Sequence, residues 1–445
     1  MHRDHPEKKP RQLAALLVVV VALCRPVGVA ADEPPPHNPT PSPSGGWTLD
    51  ASNWRRAEQL LPAAVLRRVQ TGDYWYRVEP VDSEAFKANL PAFFWEQSRS
   101  NEGRYAVDAE TCGLVDVTTG TVATHLEGLP FPTIAAEDPQ AGCRIAWNMR
   151  AVDMVGGGGE TTFTINGVDD QGEYQRIKLS ESHTSYMAST MDPDASAKNL
   201  RSASMLILIE PLDLDGVGGL TRQTNDWSMS SDKIWFYVPA TRRVRRASPA
   251  ARSEPIAEFA IFHDDLGGFA SKIESLEWRL IGQADVLAPI VNGGPLVMKR
   301  VSETRHEMKP PYIMAAYETP GSRGVPWLLV DGITMAPRPV WIVEGRSSDP
   351  YHKFSRVLFY IDREMYRIYW KLVDDRQGRY FYNAMFGYHW SRAEDGSAAA
   401  VSPAFVVGVN DTTNRAAIAG RPTKSYAVSN FPREYFSHGM TICGD

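Results

Sequence analysis

Two short stretches of the chain carry residue types that could perform acid–base chemistry or bind a cation. His263, Asp264 and Asp265 are consecutive, which places a base beside two carboxylates. Adjacent residues of an extended chain point to opposite sides, so such a trio is more typical of a capped turn. The segment 213–216 (DLDG) begins like a calcium loop, but Thr224 stands at the twelfth position, where the loop needs glutamate. Neither stretch predicts a catalytic or metal-binding site.

Motifs of the common enzyme classes are missing from the rest of the sequence. There is no His-Glu-x-x-His, no Gly-x-Ser-x-Gly, no phosphate-binding loop and no Cys-x-x-Cys. The glycine run 156–159 lacks the following helix and lysine that phosphate binding requires, so it predicts a hairpin tip. We therefore predict a protein that is not an enzyme and holds no cofactor and no metal. A lipid-ester hydrolase built around His263 is the least favoured alternative.

A dense basic stretch covers residues 242–246 (RRVRR). On a strand, Arg243 and Arg245 would lie on one face, and Arg242 and Arg246 on the other. Two interpretations follow. The arginines could form the rim of a site and bind acidic head groups or a partner protein, or they could form salt bridges with acidic residues of the chain.

Aromatic and large aliphatic residues alternate along the stretch 338–390, which predicts antiparallel strands with one apolar face. The residues of that face, named here the aromatic wall, are Tyr366, Ile368, Trp370, Leu372, Tyr380, Tyr382, Phe386, Tyr388 and Trp390. A face this apolar must be covered by a helix, by a second sheet or by a ligand. The function depends on which of the three covers it.

The strand predicted over 232–238 is apolar on both faces, with Trp235 and Tyr237 on one face and Ile234 and Phe236 on the other. Such a strand is buried on both sides, or buried on one side and lining a cavity on the other. Together with the aromatic wall, this gives a set of predicted ligand-contacting residues. They are Trp235, Tyr237, Tyr366, Ile368, Trp370, Tyr380, Tyr382 and Phe386, with Arg243 and Arg245 at the rim.

The elements that must position these residues are mainly strands. Two helices are predicted near the N-terminus, one beginning at Asn53 and interrupted at Pro62, the other over 83–95 and broken at Pro91. From Tyr105 onward, alternation predicts strands at 113–117, 121–125, 144–153, 160–166, 173–180, 183–190, 201–209, 219–228, 232–238, 242–247, 275–283, 286–291, 298–305, 312–318, 338–346, 354–362, 366–374 and 379–390. Short turns and the lack of strand–helix–strand alternation favour a mainly β, antiparallel fold.

The N-terminus predicts export. Residues 1–31 combine basic residues, an apolar core from Leu13 to Cys24 and small residues before position 31, which is typical of a signal peptide cleaved near Ala31. The Pro/Ser-rich segment 32–46 predicts a disordered linker, and 47–445 predicts one domain with an irregular tail over 391–445. Removal of residues 1–31 lowers the number of Lys and Arg residues from 47 to 42 and the number of Asp and Glu residues from 53 to 51. The remaining chain has a net charge of −9. Such an acidic chain is a poor partner for nucleic acid.

Three cysteines remain after the signal peptide. Export favours a disulfide, and Cys112–Cys143 is the predicted pair because both residues flank one β-rich region. Closing that loop would stabilise the fold by about 3.5 kcal/mol. The alternative is three unpaired thiols, and Cys443 is left over in either case.

Several motifs together resemble domain-of-unknown-function family 1329. They are 128–132 (GLPFP), 138–142 (DPQAG), Trp147-Asn148, 235–239 (WFYVP) running into 242–246, Asp264-Asp265 leading to Trp278 and Gly282, and the strand–Asp–strand ending over 338–375. Each motif is short, and the combination covers most of residues 50–390. The cysteine pair and the tail through Cys443 have no counterpart in the pattern.

The resemblance implies a fold and a function. Its proteins are exported in Gram-negative bacteria and are similar to the Lol-type periplasmic lipoprotein carriers, so the expected fold is a curved antiparallel sheet forming an incompletely closed barrel, with helices covering its concave face. The expected function is a periplasmic carrier or chaperone for a lipid-like or lipoprotein acyl ligand, in the periplasm or associated with the outer membrane. The alternative is a scaffold that carries nothing and docks to a resistance-nodulation-division exporter or an outer-membrane β-barrel protein.

Overall fold

The computed structural model describes residues 46–188, 199–226, 232–396, 398–431 and 435–437. The predicted signal peptide, the predicted linker up to residue 45 and Cys443 lie outside these residues. Within the described part of the chain, no helix combines the length and the apolar character that crossing a bilayer would need.

Strands dominate the structure. They are β1 (Trp47–Leu49), β2 (Tyr76–Val78), β3 (Tyr105–Val107), β4 (Leu114–Asp116), β5 (Thr121–Val122), β6 (Gly158–Asp169), β7 (Gly172–Ser185), β8 (Leu200–Glu210), β9 (Gly218–Thr224), β10 (Lys233–Val238), β11 (Arg243–Ala247), β12 (Glu277–Val291), β13 (Leu296–Arg300), β14 (Arg305–Met308), β15 (Met314–Ala315), β16 (Leu329–Asp331), β17 (Ile333–Arg346), β18 (Phe354–Asp362), β19 (Ile368–Asp375), β20 (Tyr380–Ala393), β21 (Ala399–Asn410) and β22 (Arg415–Val428).

Four α-helices and six short 3-10 helices accompany the strands. The α-helices are α1 (Ala63–Gln70), α2 (Ser83–Lys87), α3 (Ala92–Ser100) and α4 (Ala141–Asp153). The 3-10 helices are Trp54–Ala57, Pro239–Thr241, Pro249–Ser253, His263–Asp265, Ile273–Ser275 and Ala316–Glu318. All counts refer to the described residues.

One 17-stranded sheet organises the fold. Its main succession is antiparallel and runs β11-β10-β9-β8-β7-β6-β22-β21-β20-β19-β18-β17-β12. Strands β13 and β2 add short parallel pairings to β20 and β17. In the described residues β11 and β12 do not pair with each other, so the sheet is a partial ring. The predicted mainly β fold with few helices is confirmed.

The predicted helix breaks at Pro62 and Pro91 are correct, because α1 and α3 each begin directly after one of these prolines. Proline fits there because the first turn of a helix leaves its backbone N–H groups unpaired. Asn53 is not the predicted side-chain cap. Its Oδ1 accepts a hydrogen bond from the backbone N–H of Asp50 at 2.9 Å, and its amide donates to the carbonyl oxygen of Thr48.

The predicted strand 144–153 is wrong, because these residues belong to helix α4. Ile145, Trp147 and Met149 alternate as in a strand, but Ile145, Met149 and Val152 also follow helical spacing, and all four are buried. A helix buried on all sides has no polar face, so its periodicity does not separate it from a strand. A Cβ on Gly142 would lie 2.6 Å from the backbone of Trp278, so this glycine lets α4 approach β12 closely.

The predicted irregular tail over 391–445 is also wrong in its first half. Strands β21 and β22 lie in the middle of the sheet, between β20 and β6. Their central residues are buried on both faces, from Ala404 to Val409 and from Ala416 to Ala419. Such strands are apolar throughout and show no alternation. Gly408 and Gly420 also make the composition of this stretch resemble that of a loop.

The aromatic wall is divided by a β-bulge. Tyr360 pairs with Trp370 and Ile361 pairs with Ile368, so Tyr369 is an extra residue in β19. One extra residue moves all following side chains to the opposite face. Ile368 therefore packs in one core, while Trp370 packs in the other.

The prediction that Tyr366, Ile368, Trp370 and Leu372 share a face is wrong. Tyr366 itself precedes strand β19 and has a backbone φ of 50°.

Two cores lie on the two faces of this part of the sheet. Helix α1 covers the face that carries Trp370 and Met385, through Val65 and Val69, together with Leu61 just before the helix. The other face is covered by α2, α3, α4 and the stretch 256–276. The predicted helical cover thus exists, but the N-terminal helices divide between the two faces.

The predicted disulfide between Cys112 and Cys143 is confirmed, with Cα atoms 5.8 Å apart. Cys143 lies in the first turn of α4 and Cys112 in the turn before β4. The indole of Trp147 also donates a hydrogen bond to the carbonyl oxygen of Cys112 at 2.8 Å. The bridge therefore joins the buried helix to the small β3–β4–β5 sheet.

Candidate ligand-binding cavity

A cavity of about 490 Å³ lies between one face of strands β6 to β10 and the segment 251–271, named here the covering segment. The end of α4 and parts of β21 and β22 complete its walls. A volume of this size lies in the range of small-molecule sites, about 300–1,000 Å³.

The floor of the cavity follows from strand register. One row of directly opposed residues crosses five strands as Thr161, Glu181, Leu206, Gly219 and Phe236. Opposed residues of paired strands lie on the same face. All five line the cavity, and Gly219 leaves room for the ring of Phe236.

The next row is more polar. It consists of His183, Ser204, Thr221 and Ile234 on β7 to β10, and all four residues line the cavity. Apolar residues Leu208, Leu214 and Val217 extend the wall on the other side of the first row. The floor therefore changes from apolar to hydrogen-bonding across adjacent rows.

The covering segment is fixed to the sheet through Asp265. Its Oδ1 lies 2.7 Å from Nζ of Lys371, and its Oδ2 accepts hydrogen bonds from the hydroxyl of Tyr382 and the backbone N–H of Phe262. All these groups are buried. Burial and the nearby Asp265 carboxylate hold the pKa of Tyr382 well above its usual value. Asp265 is therefore committed to a structural role.

The other members of the trio are also accounted for. Asp264 accepts hydrogen bonds from the backbone N–H and the hydroxyl of Ser271, at 2.9 and 2.7 Å. The ring of His263 lines the cavity with its centroid 6.1 Å from that of Phe236. Burial, with the positive charge of Arg252 nearby, lowers the pKa of His263 to about 4. His263 is therefore neutral at pH 7, and the trio is the capped turn that the sequence favoured.

Arginines on the cavity wall are paired with carboxylates or backbone carbonyls. Arg201 makes two hydrogen bonds to Glu274, at 2.8 and 2.6 Å, and Arg252 makes two to Asp232. The side chain of Arg367 is held by Asp153 and by the carbonyl oxygen of Met149. Arg150 donates to the carbonyl oxygens of Phe269 and Ser271. The four arginines that line the cavity are therefore already bound to carboxylates or backbone carbonyl oxygens of the protein.

Glu181 differs from these groups. Its side chain is part-buried in the centre of the floor, and within the described residues its carboxyl makes no hydrogen bond and no ion pair. Burial raises the pKa of this carboxyl, which favours the neutral acid. No sequence motif includes Glu181.

Trp235 points away from the cavity. It opposes Leu220 and lies with Met205 in a small core completed by Phe436. The hydroxyl of Tyr435 lies 2.8 Å from that of Ser182 on the same outer face. The predicted alternation of β10 is correct, but the lining residues are Ile234 and Phe236, on the face opposite to the predicted Trp235 and Tyr237.

Of the aromatic-wall residues predicted to contact a ligand, Tyr380 is part-buried and the others are buried in the protein interior. Tyr366, Ile368, Tyr382 and Phe386 lie in the core beneath the covering segment and α4, and the indole N–H of Trp370 donates to Leu287 in the other core. The hydroxyl of Tyr380 donates to Asp411 at 2.5 Å. None of these six side chains, all of which the structure describes, lines the cavity, whereas Tyr388 of the same wall does. Their contact with a ligand stays a prediction.

Arg243 and Arg245 lie on the edge strand β11. Register pairs Arg245 with Phe236 and Arg243 with Val238, so both share the face that forms the cavity floor. Both are exposed, and neither forms an ion pair within the described residues. The predicted shared face is therefore observed at the open edge of the floor, and the predicted salt bridges are absent from this part of the chain.

A second, smaller cavity of about 230 Å³ lies between Phe86, Trp390 and the end of β12, and Arg367 and Tyr388 line both cavities. His389 lines it and is 2% exposed. Its Nε2 has no hydrogen-bond partner among the described residues. Burial lowers the pKa of His389 to about 4.

A signal for the floor is present in the sequence. Along β7 the lining residues Glu181 and His183 flank the outward Ser182, and along β8 Ser204 and Leu206 flank the outward Met205. The sequence predicts two strands, 173–180 and 183–190, where the structure has the single strand β7. The lining face of β7 and β8 mixes polar and apolar residues. A cavity with hydrogen-bonding groups in its floor produces that mixture.

Comparison with solved structures gives similar chains at low identity. A domain of an outer membrane lipoprotein-sorting protein from Vibrio parahaemolyticus is 15% identical, with 68% of this chain and 100% of that chain covered and a TM-score of 0.46. A DUF1329 family protein from Desulfovibrio piger is 12% identical, with coverage of 68% and 98% and a TM-score of 0.43. A LolA superfamily protein from Nitrosomonas europaea is 10% identical, with coverage of 66% and 96% and a TM-score of 0.36.

Comparison with curated proteins finds no match. The model of one protein family matches residues 48–437, which is most of the chain and includes all the elements that form the cavity. The chain therefore belongs to the protein family of unknown function DUF1329.

Proposed function

We propose that this protein is a non-enzymatic periplasmic carrier or chaperone that sequesters a hydrophobic, lipid-like molecule in the cavity between strands β6–β10 and the covering segment. The observation that carries the proposal is the cavity itself, with a volume of about 490 Å³, with Leu206 and Phe236 on its floor and with Leu208 on its wall. Burying a ten-carbon chain there would contribute about 8 kcal/mol, before the cost of ordering the chain is subtracted.

The residues predicted from the sequence keep a place in this proposal. Arg243 and Arg245 at the open edge of the floor would contact an acidic group on the outer end of a ligand. Ile368, Tyr382 and Phe386 lie beneath the covering segment. They would contact a larger ligand, such as a lipoprotein acyl chain, once that segment moves away from the sheet.

Native mass spectrometry of the protein isolated from the periplasm tests the proposal. We expect a species heavier than the polypeptide whose extra mass is extracted by organic solvent and is recovered as a lipid. A protein that carries only its polypeptide mass, and that takes up no added lipid afterwards, would contradict the carrier.

The exposed edge of β11 favours one second candidate, a scaffold that docks to a resistance-nodulation-division exporter or an outer-membrane β-barrel protein. A strand edge offers unpaired backbone groups, and Arg243, Arg245 and Arg246 surround it with positive charge. Reversing the charge of Arg243 and Arg245 to glutamate should abolish recovery of such a partner in a pull-down. Under the carrier proposal alone, the same variant keeps its affinity for a neutral apolar probe.

A further inference from the structure

Three hydrogen-bonding side chains on adjacent strands face the cavity. They are Glu181 on β7, Ser204 on β8 and Thr221 on β9, named here the polar patch. Ser204 opposes Thr221 directly, and Glu181 lies one row away, opposite Leu206. Among the residues that the structure describes, none of the three side chains makes a hydrogen bond.

The polar patch contrasts with the charged groups around it. Arg201 and Arg252 also face the cavity, but Glu274 and Asp232 bind them with two hydrogen bonds each. Polar groups that lose water without gaining a partner cost about 1–3 kcal/mol each, so buried groups of this kind are normally satisfied. An apolar ligand that fills the cavity would remove water from the patch and impose that cost. A ligand with a matching polar group would avoid it.

We propose that the polar patch recognises a hydroxyl group on the buried part of the carried lipid, with Glu181 as its main hydrogen-bond partner. This inference rests on the proposed carrier function and gives the class of its ligand. A hydroxyl both donates and accepts hydrogen bonds, as Glu181, Ser204 and Thr221 do when the carboxyl is protonated.

Charge disfavours the other common polar groups at this position. A ligand ammonium would approach the guanidinium of Arg252, whose charge acts on Glu181. A ligand carboxylate would find the arginines of the wall already bound to Glu274, Asp232 and Asp153. Burial raises the pKa of Glu181 against the opposing effect of His183 and Arg252, so the carboxyl's need for a cationic partner is reduced. A neutral hydroxyl fits these surroundings.

Competition binding tests the inference with dodecanol and dodecyl chloride, two probes that share a tail and differ in the hydroxyl. Each probe displaces a fluorescent apolar dye from the protein that comprises residues 32–445. We expect wild-type protein to bind dodecanol about fivefold more tightly, as one net hydrogen bond predicts. Glu181→Met should remove most of this preference and leave dodecyl chloride affinity unchanged. Glu181→Gln, which keeps a donor and an acceptor, should retain it.

The outcomes separate this inference from the carrier proposal. Equal affinity of wild-type protein for the two probes, or a preference that survives both Glu181→Met and Thr221→Val, would overturn recognition by the polar patch while the carrier stands. Failure of the dye and of both probes to bind wild-type protein would overturn the carrier and the inference together. Ser180→Ala, on the outward face of β7, serves as the control and should keep the preference.

Discussion

Lys371 and Asp265 form a buried ion pair, with Nζ and Oδ1 2.7 Å apart, that joins β19 to the covering segment. The two side chains are 1% and 0% exposed. The same carboxylate also receives hydrogen bonds from Tyr382 and from the backbone of Phe262. The position of the covering segment, which closes the cavity, therefore depends on the buried charge of Lys371.

Removing one partner of this pair should destabilise the protein strongly. Lys371→Met leaves the Asp265 carboxylate buried without its cation, which costs about 3–5 kcal/mol. The free energy of unfolding in urea measures the loss. Lys371→Met combined with Asp265→Asn should lose less than the sum of the two single variants, because neither charge then remains alone. Additive losses would show that the pair is not coupled.

The disulfide should stabilise the protein by restricting the conformations of the unfolded chain. Replacing Cys112 and Cys143 by alanine opens a loop with a sequence separation of 31 residues. The loop-entropy relation gives a loss of about 3.5 kcal/mol, measured by urea unfolding under oxidising conditions. Wild-type protein unfolded with a reductant present should show a similar loss. A double variant as stable as the oxidised protein would contradict a stabilising bridge.

His389 should make stability depend on pH. Its pKa falls from 6.5 to about 4 on folding, because burial disfavours the imidazolium. The unfolded chain therefore binds the proton first as pH falls, and stability that is full above pH 6.5 is lost towards pH 4. The loss amounts to about 3 kcal/mol for this residue. His389→Met should lose correspondingly less stability over the same range, and an unchanged pH profile would rule out His389 as the cause.

Alanine substitutions of Phe236 and Trp370 should have opposite effects on probe affinity and on stability. Phe236→Ala removes a ring from the cavity floor and should lower affinity for a fluorescent apolar probe about tenfold, with a small loss of stability. Trp370→Ala empties a site in the core under α1 and should cost about 3–5 kcal/mol of stability. Probe affinity of the folded Trp370 variant should stay unchanged. The reverse pattern would support the ligand contact predicted for the aromatic wall.

The sequence predicts the parts of this fold whose pattern is local. Alternation identifies strands such as β18 and β20, and Pro62 and Pro91 determine where two helices begin. It fails for α4 and for β21 and β22, because elements that are buried on all sides lack a polar face. The bulge at Tyr369 is invisible for another reason. It is determined by pairing with β18, a contact that no local pattern encodes.

The candidate site is predicted in part. The alternation of β10 and the shared face of Arg243 and Arg245 are correct, so the edge of the floor is identified. The choice between the two apolar faces of β10 depends on the tail around Phe436, which covers Trp235 and leaves Phe236 to the cavity. Glu181 is not predictable as a lining residue, because an isolated carboxylate in a strand normally faces water.

The most direct test of the account places tryptophan at two adjacent positions of β8. Leu206 faces the cavity, and its neighbour Ile207 faces outward. If the cavity binds the ligand, Leu206→Trp should fill it and lower the affinity for a fluorescent acyl probe by about tenfold or more, equivalent to about 1.4 kcal/mol. Ile207→Trp should bind the probe as wild-type protein does. Equal affinities of the two variants, with both folded by circular dichroism, would contradict ligand binding in this cavity.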